Sequence, residues 1–407
     1  AETMETFYRE QFQADLEAFD ISEKLGFLLE EPLTNLPDHY GVWMDLANNL
    51  THLIETRKLR DLVDKMPVLM PDILSTNREL RLAHLVLGFI SMGYVWQEGR
   101  QAPAQILPKA VALPYWLVSS RLGLPPILTY ADSVLANWKL KDPDGDMQIG
   151  NLDLIFSFPG GESCRGFFLV SLLVEMAASS GIVVRNGKLS PSEFNQFTHC
   201  AFYNGREIRI TEFVLFLDHV DPTVFHGTLR IFVSGWRDNP MLPRGLLYDG
   251  VSNEPILLSG GSAAQSSAIQ CFDGLLSIEH EDETRTFVTR MRDYMPPAHR
   301  QLIETLSDCP SLRHFILYNS SIDLCQAYNS CVSALVDLRS YHLNTVTKYI
   351  IVPGNRAVGS PLRGVGTMLN TTGSGGSNFV VFLKSVRNST QKSLISKEAS
   401  VSRETEM

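Results

Sequence analysis

The sequence lacks an apolar run long enough to cross a membrane. Its longest runs, residues 85–90 and 167–174, end at small or polar residues or at Glu175, well short of the roughly 20 apolar residues that a span requires. No basic segment followed by an apolar one opens the chain, as it would in a secretory signal. We therefore expect neither a transmembrane nor a secreted protein.

Cysteine pairs and positive charge are also in short supply. The six cysteines form no CxxC pair and no Cys/His series at zinc spacing, so we expect free, mostly buried thiols in a reducing, cytoplasmic compartment. The 35 Lys and Arg residues are outnumbered by 45 Asp and Glu residues, for a net charge of −10. A nucleic-acid partner would require a basic face, and none is indicated.

The motifs of the commonest hydrolases and nucleotide enzymes are missing as well. The chain has no Walker loop, no G-x-S-x-G elbow and no Rossmann fingerprint. His280 and Glu281 begin an HExxH motif, but Thr284 stands where the second histidine belongs. These large enzyme classes are therefore excluded.

Apolar residues recur at helical spacing along most of the chain. Trp43, Leu46 and Leu50 form one such series, and period-two alternation is scarce, which predicts an all-α fold. The polar stretch 139–145 contains a turn signal. It marks the expected boundary between a small N-terminal helical domain, residues 1–145, and a larger C-terminal helical domain, residues 146–407.

One C-terminal stretch lacks this periodicity. Residues 353–378 are rich in Gly, Asn, Ser and Thr, which predicts a long mobile loop of the kind often used as a functional lid. Its glycine cluster, residues 373–377, offers a weak phosphate cradle because no strand precedes it. A flexible hinge is the default interpretation.

Two tyrosines lie in an apolar-x-Tyr-x-x-apolar frame, the form of a phosphotyrosine docking motif. They are Tyr115 and Tyr248. Because this frame arises easily in apolar sequence, buried core tyrosines are the favoured interpretation and docking motifs are the alternative.

One long helical stripe carries a histidine. It predicts one helix from residue 322 to about residue 350, and its members, at spacings of three, four or seven, are Leu324, Tyr328, Cys331, Leu335, Leu338, His342 and Tyr349. A lone histidine on an apolar face is more often a satisfied core residue than a ligand. Arg339 lies on nearly the same side of the helix, and a buried imidazole one turn from a cation suits the edge of an anionic cofactor. Periodicity alone leaves both interpretations open.

Several sequence blocks together resemble the indoleamine 2,3-dioxygenase family. They are LPPILTYAD at 124–132, GFFLVSLLVE at 166–175, LRIFVSGW at 229–236, SGGSAAQSS at 259–267, YMPPAHR at 294–300 and LRSYH at 338–342. The resemblance runs from about residue 20 to residue 393. Residues 93–99 and 158–163 look more like the family's second paralogue.

The resemblance implies a haem-dependent dioxygenase that cleaves the indole C2–C3 bond of tryptophan and related indoleamines to N-formylkynurenine-type products. This reaction begins tryptophan catabolism through the kynurenine pathway and links the protein to immunity. The implied cofactor is haem b with its iron, and the implied partners are the indoleamine, dioxygen and an electron donor that keeps the iron ferrous. A monomer is expected, with the small domain capping the distal side of the haem-binding domain. The alternative is a catalytically weak or inactive signalling protein on the same fold, acting through its tyrosine motifs.

The resemblance also assigns roles to individual residues. His342 matches the proximal iron ligand, and Arg339 matches a position that pairs with haem propionates. The positions that match the family's substrate pocket are Tyr130, Phe167, Phe168, Phe225, Arg230, Gly261, Ser262, Ala263 and, in the glycine-rich loop expected to close over the substrate, Ser374. The aromatic members suit a flat indole ring.

Two of the candidate pocket side chains, Arg230 and Ser171, each have a functional and a structural interpretation. Arg230 is expected to hold the amino-acid carboxylate through a bidentate pair, or else to form a structural salt bridge. Ser171 is the catalytic candidate, because its hydroxyl can hydrogen-bond the substrate or the bound oxygen. Otherwise Ser171 is a small helix residue that makes room for a ligand.

The chain departs from the family pattern in two places. His226 replaces an aromatic residue beside Phe225, which puts a titratable group near the distal side. Residues 182–216 replace a longer helical stretch, and Gly187, Pro191 and Gly205 break any helical stripe there. We expect this segment to lower stability and haem retention relative to a regular helical pair.

Overall fold

The computed structural model describes residues 16–22, 24–182, 218–319, 321–356 and 379–396. Its α-helices, numbered in chain order, are α1 (Gly41–Asn48), α2 (Leu50–Glu55), α3 (Leu59–Val63), α4 (Asn77–Trp96), α5 (Lys109–Leu122), α6 (Tyr130–Ser133), α7 (Glu162–Ile182), α8 (Pro222–Val224), α9 (Ser267–Leu275), α10 (Asp282–Met291), α11 (Pro297–Asp308), α12 (Leu312–Asn319), α13 (Ile322–Val346), α14 (Val352–Arg356) and α15 (Phe379–Lys392). The predicted all-α fold is confirmed.

Shorter elements join these helices. The 3-10 turns are Leu16–Phe19, Asp38–Tyr40, Pro71–Ile73, Arg230–Val233, Ala263–Gln265 and Arg292–Tyr294, and π-helical turns continue α8 as Phe225–Leu229 and α13 as Thr347–Ile351. The strands found among the described residues are two residues long. Parallel β1 (Ile106–Leu107) and β4 (Leu247–Tyr248) pair Ile106 with Leu247, and antiparallel β2 (Lys139–Leu140) and β3 (Leu152–Asp153) pair Lys139 with Asp153.

Helix α4 runs through the centre of the core. A capping box starts it, because the Thr76 hydroxyl accepts from the Glu79 N–H at 3.2 Å and the Glu79 carboxylate accepts from the Thr76 N–H at 2.9 Å. Every residue from 80 to 96 is buried. Such a helix is apolar nearly all round and needs neighbours on every side, and α5 and α1 pack against it.

The main core crosses the predicted domain boundary. It extends from Ile21 to Tyr349 and contains residues from both sides of the 139–145 stretch. Phe89 of α4 stacks on Phe158 with ring centroids 4.4 Å apart, and Phe158 stacks on Phe232 at 5.0 Å. A second, smaller cluster surrounds Tyr328 and Val332 of α13. The division into domains at residue 145 stays a prediction.

Both tyrosines of the apparent docking frames lie in the core. Tyr115 and Tyr248 are fully buried. The Tyr248 hydroxyl donates to the Pro126 carbonyl at 2.6 Å, and the Tyr115 ring meets the edge of the His84 ring. The docking-motif interpretation is therefore wrong, since neither side chain can be reached in the folded protein.

The structure also bears on the predictions for the cysteines, for membrane spans and for the loop 353–378. The described cysteines are free, and all but half-buried Cys309 are buried. No described helix has the length and apolar character of a membrane span. The predicted loop 353–378 begins later than expected, because residues 353–356 belong to α14. Its remainder, with Ser374, lies outside the described residues, as does the atypical segment 182–216 apart from Ile182, which ends α7.

Candidate active site

Helix α13 presents His342 near its C-terminal end. The Ser321 side chain caps the helix by accepting from the Leu324 N–H, and the apolar stripe packs into the second core cluster. His342 is half-buried. Burial, followed by the positive charge of Arg339, lowers the pKa of its imidazole to about 4. The ring is therefore neutral at physiological pH, which is the form that binds metals.

The surroundings of His342 fit an axial ligand of haem. Neither ring nitrogen has a hydrogen-bond partner among the described residues, although polar groups removed from water usually have one. Among all of the described residues, no three His, Cys, Asp or Glu side chains lie close enough together to hold a metal ion. A metal bound by this one imidazole needs its other ligands from a separate group, as a porphyrin supplies them.

Arg339 is held in a buried ion pair. Its Nη2 donates to both carboxylate oxygens of Asp273, at 2.8 and 2.7 Å, and its Nη1 donates to the Thr390 hydroxyl of α15. His280 Nε2 also lies 2.9 Å from an Asp273 oxygen. A propionate bound at Arg339 would therefore share the guanidinium with Asp273.

The ionisation of Asp273 follows from these contacts. Burial by itself would raise the pKa of its carboxyl, but the charge of Arg339 and the hydrogen bond with His280 hold the pKa below its ordinary value. Asp273 is thus an anion inside the protein, and Arg339 is its counter-ion.

Helix α9 connects this ion pair to a second buried carboxyl. Asp273 lies near the C-terminal end of α9, and Ser266 caps its N-terminus by accepting from the Ile269 N–H. The Ser266 hydroxyl in turn donates to Glu175 Oε1, which also accepts from the Tyr130 hydroxyl at 3.1 Å. Glu175 is fully buried. Burial raises the pKa of its carboxyl to about 7, and the Ser266 and Tyr130 hydroxyls, with the nearby backbone of Ala268, oppose the rise.

Helix α7 supplies part of an aromatic cluster. The Phe167 ring lies 5.1 Å from the Phe168 ring and 5.0 Å from that of Phe225, between ring centroids. Phe225 also meets the edge of Tyr349, which follows His342 by two helical turns. The structure therefore places three of the predicted pocket aromatics together and joins them to the chain beyond α13.

Ser171 lies on α7 between these aromatics and Glu175. Its Oγ donates to the Phe167 carbonyl at 3.0 Å, the usual bond of a helical serine to the preceding turn. The oxygen lone pairs still allow it to accept a bond from a ligand, so the catalytic and space-making interpretations both stay open.

Arg230 begins the 3-10 turn that follows Phe225 and is buried. Burial, followed by the like charge of Arg100, lowers the pKa of its guanidinium to about 10. Arg230 is still a cation at neutral pH. A second cation nearby favours an anionic group at this position.

The loop before α9 supports Tyr130. Gln265 Oε1 accepts from the Tyr130 N–H at 3.0 Å, and Gln265 Nε2 donates to the Gly260 carbonyl at 2.8 Å. Gly235 and Gly260 approach so closely that a Cβ on either would overlap the other's backbone. Ser262 starts the following 3-10 turn, and Ala263 is exposed within it. Tyr130 is thus joined to the predicted pocket loop that contains Gly261.

Sequence reasoning missed three residues of this arrangement: Glu175, Asp273 and His280. Glu175 appeared as the polar end of an apolar run, although it follows Ser171 by four residues and so shares its helix face. Asp273 lies among the apolar residues of α9, where an acid needs a partner. His280 appeared only as half of a failed zinc motif.

Comparisons with known proteins find the same family that the sequence blocks resemble. The family described as indoleamine 2,3-dioxygenase matches residues 15–393. Indoleamine 2,3-dioxygenase 2 of Homo sapiens is 49% identical over 391 residues, covering 93% of this chain and 95% of that protein. Indoleamine 2,3-dioxygenase 1 of Rattus norvegicus is 45% identical, covering 94% and 96%. A myoglobin of Haliotis madaka is 36% identical, covering 93% and 98%.

Removing the charge of Asp273 should be far more damaging than removing an exposed acid. Asp273→Asn leaves Arg339 buried without its counter-ion, which should cost about 3–5 kcal/mol of folding free energy. Asp293→Asn is the matched control, because Asp293 and its partner Arg300 are 58% and 45% exposed and such pairs contribute about 0–1 kcal/mol. Urea denaturation measures both. Equal losses would show that the Asp273 pair contributes no more than a surface pair.

Glu175 should make stability depend on pH. Its pKa is about 7 in the folded protein against an ordinary 4.5, so the folded state holds the proton more tightly than the unfolded state. The contribution is fully present below pH 4.5 and is lost as pH rises through 7, by at most about 3 kcal/mol. Glu175→Gln cannot ionise, so its stability relative to wild type should rise between pH 5 and 7.5 in urea denaturation. Parallel pH profiles of the two proteins would contradict this assignment.

Proposed function

The chain belongs to the indoleamine 2,3-dioxygenase family, and we propose that it is a haem-dependent dioxygenase acting on tryptophan and related indoleamines. The products are of the N-formylkynurenine type, formed by cleavage of the indole C2–C3 bond. The observation that carries this proposal is the neutral His342 imidazole, without a hydrogen-bond partner in the described chain, one turn beyond buried Arg339. The match over most of the chain supports it.

His342 and Arg339 would hold the cofactor. His342 would bind the iron through its neutral imidazole, and Arg339 would contact a propionate while keeping its bond to Asp273. When bound, haem b supplies the iron centre at which dioxygen is activated. The chain's own contribution is a fixed position for the helix that carries His342, because Arg339 ties α13 to both α9 and α15.

The substrate would lie against the aromatic cluster. Phe167, Phe168 and Phe225 offer apolar ring faces for a flat indole. Arg230, a buried cation beside Arg100, would hold the amino-acid carboxylate. Tyr130, Gly261, Ser262 and Ala263 would form the wall next to the Glu175 network, and Ser374 would approach from the glycine-rich loop.

Ser171 would face the reacting atoms from α7. Its hydroxyl donates within the helix, so a lone pair is the part that it offers to a ligand. The Ser171 oxygen would therefore accept a hydrogen bond from the ligand, for example from the indole N–H. Because its own proton is used within the helix, Ser171 would not act as an acid toward dioxygen.

We also infer the cellular setting from the family. A cytoplasmic location suits the free thiols of the described residues, the expected state is a monomer, and an electron donor would keep the iron ferrous. The reaction would start tryptophan catabolism through the kynurenine pathway, with a consequence for immunity. The signalling alternative loses its basis, because Tyr115 and Tyr248 are buried.

Purified protein tests the proposal directly. A Soret band with formation of an N-formylkynurenine-type product would support it. The turnover measurement is essential, because one relative is named a myoglobin and a haem spectrum alone does not separate an enzyme from a haem protein of another kind. A folded chain without haem, or a haem protein without turnover, would contradict the proposal.

Replacement of His342 should abolish stoichiometric haem binding. His342→Ala removes the proposed protein ligand to the iron, so the ratio of Soret to protein absorbance should fall to near the level of haem-free protein. His52→Ala is the control, because His52 is exposed on α2. Normal haem content with an unchanged ferric spectrum in His342→Ala would exclude this ligand.

Replacement of Arg230 should discriminate between substrates. Arg230→Ala removes a charged hydrogen bond to the carboxylate, which implies a roughly 10- to 150-fold fall in kcat/KM for tryptophan. Tryptamine lacks the carboxylate and should be affected far less. Arg237→Ala, seven residues away, serves as control because Arg237 donates to the Leu257 carbonyl. Equal losses on both substrates would assign Arg230 a structural role.

A further inference from the structure

Glu175 has one satisfied oxygen and one unsatisfied oxygen inside the protein. Oε1 accepts from the Tyr130 and Ser266 hydroxyls, whereas Oε2 is buried with no hydrogen-bond partner. An uncompensated polar atom of this kind costs folding free energy. Stability alone would favour an apolar or amide side chain here, so the carboxyl calls for another explanation.

The contacts of Tyr130 indicate what the carboxyl does. The Tyr130 backbone is already fixed, since its N–H donates to Gln265 and a capping box of Thr129 and Asp132 surrounds it. The ring is buried in the main core, and the polar end of the side chain is its hydroxyl. Its hydroxyl donates to Glu175 at 3.1 Å, so the carboxyl holds the end of the ring that core packing alone does not fix.

The same carboxyl holds the loop that precedes α9. Ser266 bonds to Glu175 and directly follows Gln265, which is bonded to Gly260 across the predicted pocket loop. One group on α7 therefore determines two parts of the pocket wall, the Tyr130 ring and the end of the loop. Ser171, the catalytic candidate, lies one turn away on the same helix.

We propose that Glu175 is a positioning residue of the dioxygenase, which orients Tyr130 and the loop of Gly261 and Ser262 for binding of the indoleamine. This inference rests on the proposed function, because that function places Tyr130 at the substrate. A carboxyl suits the task, since an ionised acceptor forms stronger and more directional hydrogen bonds with hydroxyls than an amide does.

A double-mutant cycle tests the proposal in the haem-loaded full chain. Glu175→Gln keeps the volume and removes the charge, and Tyr130→Phe removes the hydroxyl. Each should raise the Kd for tryptophan about 2- to 10-fold, the effect of one hydrogen bond, measured by the substrate-induced change in the ferric haem spectrum. The double variant should be no weaker than the weaker single variant.

Tyr328→Phe supplies the matched control. Tyr328 is also a buried tyrosine, but its hydroxyl donates to the Leu276 carbonyl in the second core cluster and shares no partner with Glu175. Combined with Glu175→Gln, it should change melting temperature additively and leave the tryptophan Kd at the Glu175→Gln value. Additive losses of affinity in Glu175→Gln/Tyr130→Phe would overturn the proposal, as would an unchanged Kd in Glu175→Gln.

A second measurement needs no variant of Glu175. Among the described residues, the titratable groups recorded against Glu175 are Tyr130 of α6 and Cys271 of α9, and burial, followed by the charge of Glu175, raises the pKa of the Cys271 thiol to about 12. Of this cluster, Glu175 is the group that ionises between pH 6 and 8. Wild type should bind tryptophan about 2- to 10-fold more tightly at pH 8 than at pH 6, and Tyr130→Phe should be nearly flat. The same slope in both proteins would count against the proposal.

These outcomes separate the inference from the proposed function. Absence of haem or of turnover in wild type contradicts the function before any variant is made. If wild type turns over its substrate but the tryptophan Kd is unchanged in the Glu175 and Tyr130 variants, only the positioning role is contradicted.

Discussion

The buried ion pair of Asp273 and Arg339 is the constraint on which the placement of α13, and with it of His342, depends. Two charges removed from water are stable only when their geometry is good and their remaining bonds are satisfied. Here both carboxylate oxygens accept from Arg339, and Thr390 and His280 complete the cluster. These requirements fix α9, α13 and α15 against one another one turn from His342.

Helix α9 links this ion pair to the hydrogen bonds of Glu175. Its nine residues span about 13 Å, with Asp273 near one end and the Ser266 cap at the other. Ser266 leads to Glu175 and then to Tyr130. The residues proposed for the cofactor and those proposed for the substrate are therefore attached to one short rigid element. A shift of α9 would therefore move the partners of both Arg339 and Glu175.

Sequence periodicity predicted some features of this structure and missed others. The stripe from Leu324 to His342 predicted a helix from 322 to about 350, and the structure has α13 with a π-helical turn ending at residue 351. Phe167 and Phe168 were assigned to the pocket because they lie in the block at 166–175 that resembles the family. The partner of Arg339 was not predictable, because Asp273 lies 66 residues away in sequence. Glu175 was misread as the polar end of a run because the donors that let it be buried belong to other helices.

The sequence by itself determined the helical content, the family and the candidate residues, since periodicity and short motifs are local properties. Tertiary structure decided which polar groups are buried and what each one bonds. It placed Tyr115 and Tyr248 in the core, paired Arg339 with Asp273, and left one oxygen of Glu175 unsatisfied. The physical reason is that desolvation and pairing depend on neighbours brought together only by folding. The spacing of residues along one helix does not contain that information.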